Sequence, residues 1–127
     1  MRANKIKQMW AEGKTVNMGW LSIGHTFTAE LMARQGFDSL CVDLQHGTVE
    51  INHVLPMLQA IGQTDVSPVV RVRTNEAGEI MKVLDLGAMT VIVPLIITIA
   101  QIDELFDKFE RALDAGLEHA RAGGWVG

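Results

Sequence analysis

Four short apolar segments, each followed by a stretch with helical spacing, constrain this chain more than any other feature. The segments are residues 16–23, 39–44, 68–72 and 90–94. Ser39-Leu40-Cys41-Val42-Asp43-Leu44 is nearly continuous in its apolar character rather than alternating, the mark of a strand covered on both faces. Between the strands lie stretches of helix length, each closed by glycine: Thr26–Gln35 before Gly36, a helix beyond Ile51 before Gly62, and Glu76–Leu86 before Gly87. A strand that returns parallel to its predecessor needs a crossover of about this length. The order β-α-β-α-β-α-β therefore dictates a parallel sheet with helices on its faces. The βα unit repeats in pattern, not in residues.

The individual helices follow from spacing and from end signals. Residues 4–12 predict a short leading helix with Ile6 and Met9 inward, ended by Gly13. In the next helix Phe27, Leu31 and Arg34 share a face. In the third, Asn52 is a candidate N-cap, Pro56 falls in the first turn, and Val54, Leu58 and Ile61 form the inner stripe. In the fourth, Asn75 caps and Ile80, Val83 and Leu84 face inward. The last segment differs. Thr98-x-x-Gln101 is a capping box. Ile102, Leu105, Phe106, Phe109, Leu113 and Leu117 then recur on one face, with Glu104/Lys108 and Asp107/Arg111 as i,i+4 pairs, up to Gly123-Gly124. The expected division is a strand–helix body at residues 1–97 and a long amphipathic helix at 98–127.

Composition narrows the function classes. The 127 residues suffice for one domain with a real core, and 48% are hydrophobic. A formal net charge of −4, with scattered Lys and Arg, offers no basic stripe and excludes nucleic acid as the expected partner. The longest apolar run, Val91–Ala100, is broken by Pro94 and two threonines and falls short of the roughly 20 residues of a membrane span. Met1-Arg2-Ala3-Asn4-Lys5 leads into no apolar signal region. Cys41 is the single cysteine, so no intrachain disulfide can form. The expectation is a cytoplasmic protein with no membrane contact.

Active sites of parallel α/β proteins lie at the carboxyl ends of the strands. That rule selects Ser22, Gly24 and His25 after the first strand, and Asp43, Gln45 and His46 after the second. It selects Arg71 and Arg73 at the third and Pro94 at the fourth. His46 suits proton transfer near neutral pH. Asp43 suits either of two tasks: orienting that imidazole, or accepting loop amides as a buried strand-end acid. Arg71 within an apolar strand demands an acidic partner or a ligand, because an unpaired buried charge is expensive; Asp43 is the candidate partner. With a ligand, Arg71 would clamp a carboxylate and stabilise enolate charge. The remaining histidines, His25, His53 and His119, read as surface residues, and Cys41 as an inert core thiol. Trp20 is placed either in the sheet interior or at the site.

Several motifs occur in order: Gly19-Trp20-Leu21, Ala29-Glu30-Leu31, Gly36-Phe37-Asp38, Val42-Asp43-Leu44-Gln45-His46-Gly47, Pro68-Val69-Val70-Arg71-Val72, and Ile80 through Ala88 to Val91-Ile92-Val93-Pro94. Over about residues 4–96 this series resembles the HpcH/HpaI aldolase and citrate lyase family, in particular dihydroxyheptenedioate and 2-keto-3-deoxy-sugar-acid aldolases. The resemblance implies a (β/α)₈ TIM barrel and reversible aldol cleavage to pyruvate and an aldehyde. It also implies a divalent cation, Mg²⁺, Mn²⁺ or Co²⁺, that holds the enolate. Carried over by position, His46 is the acid/base with Asp43 as its neighbour. Arg71 binds pyruvate, and Trp20 and Gln45 lie on the substrate side. Asp85 matches a helix acid of the motif, without an assigned role. Gln45 stands where many relatives have Glu.

A TIM barrel typically needs about 250 residues. The metal ligands implied by the resemblance, a Glu and an Asp, belong to later strands that this sequence does not contain. The expectation is therefore the front half of a barrel, about four βα units, with an incomplete active site. Beyond Pro94, the stretch through Leu113-Asp114 resembles the C-terminal helix of class III, PLP-dependent aminotransferases, without a PLP lysine motif, and suggests a fusion or deletion at Pro94–Ile97. Two functions are in contention: a pyruvate aldolase acting on small keto acids and aldehydes as a homo-oligomer, and a non-catalytic remnant that at most oligomerises. A phosphate-binding domain is a weaker third, since no Walker or Gly-x-Gly-x-x-Gly loop is present.

Overall fold

A computed structural model describes residues 3–96 and 98–123. Nine elements follow in the order α1 (Lys5–Ala11), β1 (Met18–Leu21), α2 (Thr26–Met32), β2 (Ser39–Asp43), α3 (Ile51–Ile61), β3 (Ser67–Arg71), α4 (Ala77–Asp85), β4 (Thr90–Ile92) and α5 (Ile99–Ala122). The four strands form one parallel sheet in the order β1-β2-β3-β4, as the βα pattern requires. The register aligns Leu21 with Val42, Val42 with Val70, and Asp43 with Arg71.

Side chains alternate across this sheet and define two faces. On the outer face Leu21, Leu40, Val42 and Val70 pack against Ala29 and Ala33 of the α2 segment, Val54, Met57, Leu58 and Ile61 of α3, and Ile80 and Val83 of α4. On the inner face Cys41 and Val69 pack against Ile6 of α1, flanked by Met18 and Ile92. Burial on both faces explains why β2 is buried at all five positions and why its sequence does not alternate. Leu105 and Phe109 of α5 pack against the outer core, and the Lys108 ammonium donates to the Asn75 carbonyl in the β3–α4 loop, so α5 is docked on this layer.

Several local expectations change. The Phe27/Leu31 face of α2 points outward; the helix buries Ala29 and Ala33 instead, because small side chains let α2 approach the sheet and α3 closely. Helix α3 starts one residue before the expected cap. Its N-cap is Glu50, whose side chain accepts the His53 amide while the His53 Nδ1 accepts the Glu50 N–H at 2.9 Å. His53 is thus a half-buried capping residue rather than a plain surface one. Pro56 lies in the second turn, inside the helix. Asn75 is not a cap; Glu76 holds that position in α4, and Glu79 accepts the Arg73 and Thr74 amides. In α5 the capping box and the Glu104–Lys108 pair form as expected, but Arg111 bonds the Asp107 carbonyl oxygen. Gly124 lies outside the described residues.

Candidate functional site

The carboxyl end of β2 carries Asp43, which is 2% exposed. Its partner in register at the end of β3 is Arg71. Parallel neighbours in register point their side chains to the same side, so the carboxylate and the guanidinium meet on the inner face. Arg71 Nε donates to Asp43 Oδ1 at 2.8 Å and Nη2 to Oδ2 at 2.6 Å, a bidentate pair. The Arg71 guanidinium carbon lies 4.6 Å from the centre of the Trp20 ring, within cation–π range. Trp20 reaches it from β1 and remains 44% exposed.

Asp43 also organises the loop that follows it. The Gln45 amide donates to its Oδ1 at 3.0 Å and the His46 amide at 3.3 Å. Of the two tasks open to Asp43, the structure selects the second: the carboxylate grips the loop backbone and Arg71, not the His46 ring. The His46 side chain is exposed at the rim, and among the described residues its imidazole takes no hydrogen-bond partner. The physical reason is position. Asp43 is the last residue of β2 and points inward, whereas His46 lies three residues on, past a turn that the carboxylate itself closes.

The other side of this loop is held by β1. The Thr48 amide donates to the Ser22 carbonyl at 2.8 Å. Gly47, at φ +103, passes so close that a β-carbon there would meet the Ser22 carbonyl oxygen at 2.4 Å. Gln45 and His46 are therefore presented from a clamp between the ends of β1 and β2. In the sequence Gly47 stands at the end of the motif Val42–Gly47 with no role attached to it, and Thr48 lies outside every motif. The only available signal was the glycine itself.

Electrostatics follow the pairing. Burial pushes the Asp43 carboxyl up, but the Arg71 guanidinium and the His46 and Gln45 amides together outweigh it and hold it below the usual range. The hydrogen bonds that Arg71 donates to the Asp43 carboxylate raise the guanidinium further. Burial, aided by the Asp43 charge, pushes the Cys41 thiol up to about 12, in keeping with an inert core thiol. His25 stays exposed and caps α2, its Nδ1 accepting the Phe27 amide at 3.2 Å. Asp85 is exposed at the far end of α4, away from the strand carboxyl ends.

The sequence profile of the HpcH/HpaI aldolase/citrate lyase family matches residues 17–119. The chain belongs to this family. The matched span runs across Pro94–Ile97 and through most of α5. A hydroxypyruvate/pyruvate aldolase of Rhizorhabdus wittichii is 38% identical over 102 residues, covering 80% of this chain and 41% of that protein. A 4-hydroxy-2-oxovalerate aldolase of Novosphingobium aromaticivorans is 35% identical, covering 98% of this chain and 48% of its own length. Among solved structures, an HpcH/HpaI aldolase/citrate lyase family protein of Burkholderia cenocepacia superposes with a TM-score of 0.72 at 35% identity, over 78% of this chain and 40% of that one. The chain thus spans less than half the length of the curated relatives it matches.

Aldolases of this family are generally dependent on a divalent metal. The residues described here do not fit one. No group of three or more His, Cys, Asp or Glu side chains among them is arranged to hold a metal ion, and both Asp43 oxygens are already engaged by Arg71 and the loop amides. No helix among the described residues is long and apolar enough to cross a membrane.

Proposed function

We propose that the Asp43–Arg71–Trp20 cluster, with His46 above it, is the keto-acid-binding rim of a pyruvate-type aldolase. The observation that carries the reading is the bidentate Asp43–Arg71 pair at the carboxyl ends of β2 and β3. Asp43 fixes the guanidinium from behind and the Trp20 ring flanks it, while the Arg71 side chain keeps 20% of its surface in solvent. That exposed part is available to a substrate carboxylate and to the oxygen of its enolate, where a fixed cation stabilises developing charge. His46, carried on a clamped loop, is the group suited to move the proton between the pyruvate methyl carbon and solvent. Gln45, half-buried beside it, and Trp20 border the substrate. The same reading brings small keto acids and aldehydes as substrates, a homo-oligomeric state and a cytoplasmic location.

No step is assigned to a metal, since the described residues offer it no ligands. Proton exchange at the pyruvate methyl group is therefore the more informative assay than full aldol cleavage. The protein is incubated with pyruvate in D₂O, with and without Mg²⁺ or Mn²⁺, and the methyl signal is followed by NMR. Exchange above the buffer rate that is abolished by Arg71→Ala and by His46→Ala is the expected result. Absence of exchange under all conditions would overturn the catalytic reading in favour of a non-catalytic module, and exchange surviving Arg71→Ala would remove the role given to that residue.

A further inference from the structure

The loop that carries Gln45 and His46 is tied down at both ends. At its start the Asp43 carboxylate accepts the Gln45 and His46 amides. At its finish stand Gly47, Thr48 and the N-cap Glu50, and the ties there converge on one half-buried side chain, His53. The His53 Nδ1 accepts the Glu50 N–H at 2.9 Å, while the Glu50 carboxylate accepts the His53 N–H. A backbone N–H can only donate, so Nδ1 is the unprotonated nitrogen of this ring and Nε2 carries its proton. The same ring lies against the β1–α2 loop. A β-carbon added at Gly24 would collide with Nδ1 and stand 2.9 Å from Cγ and Cε1. The Gly24 amide in turn faces the Thr48 hydroxyl at 3.5 Å, and that hydroxyl donates to the Ser22 carbonyl at 3.3 Å. A longer ion pair, 3.8 Å, links Glu50 to Arg73 of the β3–α4 loop. His53 therefore sits where three loops at the strand carboxyl ends meet.

We infer that His53 is a positioning residue for His46. The His46 imidazole takes no hydrogen-bond partner among the described residues, so its aim is set by the backbone that carries it. With the finish of the loop released, that backbone would be held only by Asp43 and by Val49, which is buried in the outer core. Arg71 is supported differently: Asp43 and Trp20 fix its guanidinium from neighbouring strands. The two functional groups of the rim thus depend on separate devices, Arg71 on strand register and His46 on the loop network that His53 closes. The link to proton transfer rests on the rim proposed above; the link to loop order does not.

Backbone ¹⁵N relaxation of the whole chain tests the loop directly. His53→Ala should carry the order parameters of His46, Thr48 and Glu50 from the rigid range, about 0.85, toward about 0.6, while Val69 and Val70 in β3 stay rigid. His53→Asn sets an oxygen where Nδ1 stood and should restore most of the rigidity. Gly24→Ala should loosen the same loop in the wild type by driving the ring off its bond. In the His53→Ala background, where that space is empty, it should add nothing. In pyruvate methyl exchange, His53→Ala should lower the rate at saturating pyruvate about 10-fold and leave the half-saturating concentration within about 2-fold, because Arg71 keeps its own supports. A loop as rigid in His53→Ala as in the wild type would overturn the inference. So would equal effects of Gly24→Ala in both backgrounds, or an exchange defect confined to half-saturation. Should His53→Ala not fold, a rigid loop in Gly24→Ala overturns it as well. A wild type without methyl exchange would instead count against the rim reading, with the relaxation data still deciding the role of His53.

Discussion

Replacing Asp43 by alanine tests the arrangement on which the site depends. The substitution removes two charge-assisted bonds to Arg71, at 2.8 and 2.6 Å, and the acceptor of the Gln45 and His46 amides. Removing one partner of a buried ion pair typically destabilises by about 3–5 kcal/mol. Here the carboxylate is almost fully buried, but the Arg71 side chain retains 20% exposure and its contact with Trp20, so water restores part of its bonding. The lower end applies, about 3 kcal/mol. With a urea dependence of about 2 kcal/mol per molar, the unfolding midpoint should fall by about 1.5 M at pH 7. Asp43→Asn keeps one oxygen for the loop amides and Arg71 Nε but loses the charge and the acceptor of Arg71 Nη2, so a shift of the same sign and smaller than that of Asp43→Ala is expected.

The pH dependence fixes the cause. The Asp43 carboxyl is lowered in the folded state. A lowered carboxyl contributes stability that is present above its unfolded value, about 3.9, and lost as pH falls through the folded one. The gap between wild type and Asp43→Ala should thus be full at pH 5–7 and close below about pH 4. A midpoint unchanged at pH 7, or a gap that persists undiminished at pH 3, would refute the pairing argument.

Other outcomes follow from the same geometry. Cys41, pushed up to about 12 and wholly buried, should resist a thiol reagent at pH 8 in the native protein and react only as urea unfolds it. Gly47→Ala should lower stability by about 2–3 kcal/mol, because it combines a positive φ with a collision against the Ser22 carbonyl; Gly13→Ala, at φ +68 with open space around it, should lower it by only about 1 kcal/mol in the same urea titration. Arg71→Lys keeps the charge but not the two-pronged geometry, so any pyruvate proton exchange should drop by about 10-fold or more.

What could be read early was set by short-range rules. The parallel sheet followed from four apolar segments spaced by helices, and the two-sided burial of β2 from its lack of alternation. The need for an acid near Arg71 followed from the price of burying a lone charge, and Asp43 met it. Local caps were less legible. Asn52 and Asn75 are good capping residues by type, yet Glu50 and Glu76 took the positions, because the chain enters each helix where its loop docks and not where propensity is highest. The outward turn of Phe27 and Leu31 was equally hidden, since periodicity identifies a stripe but not which neighbour will cover it.

By itself, then, the amino-acid order determined the succession of elements, the direction of the strands and the rim on which Asp43, His46 and Arg71 lie. Only tertiary structure decided that Asp43 binds Arg71 and the loop amides rather than the His46 imidazole, and that Trp20 stacks on the guanidinium. Those choices depend on register between strands 28 residues apart in sequence and on which side of the sheet each residue faces. Helical and strand periods are local properties of a chain, whereas the alignment of one strand with the next is fixed only when the helices between them have packed.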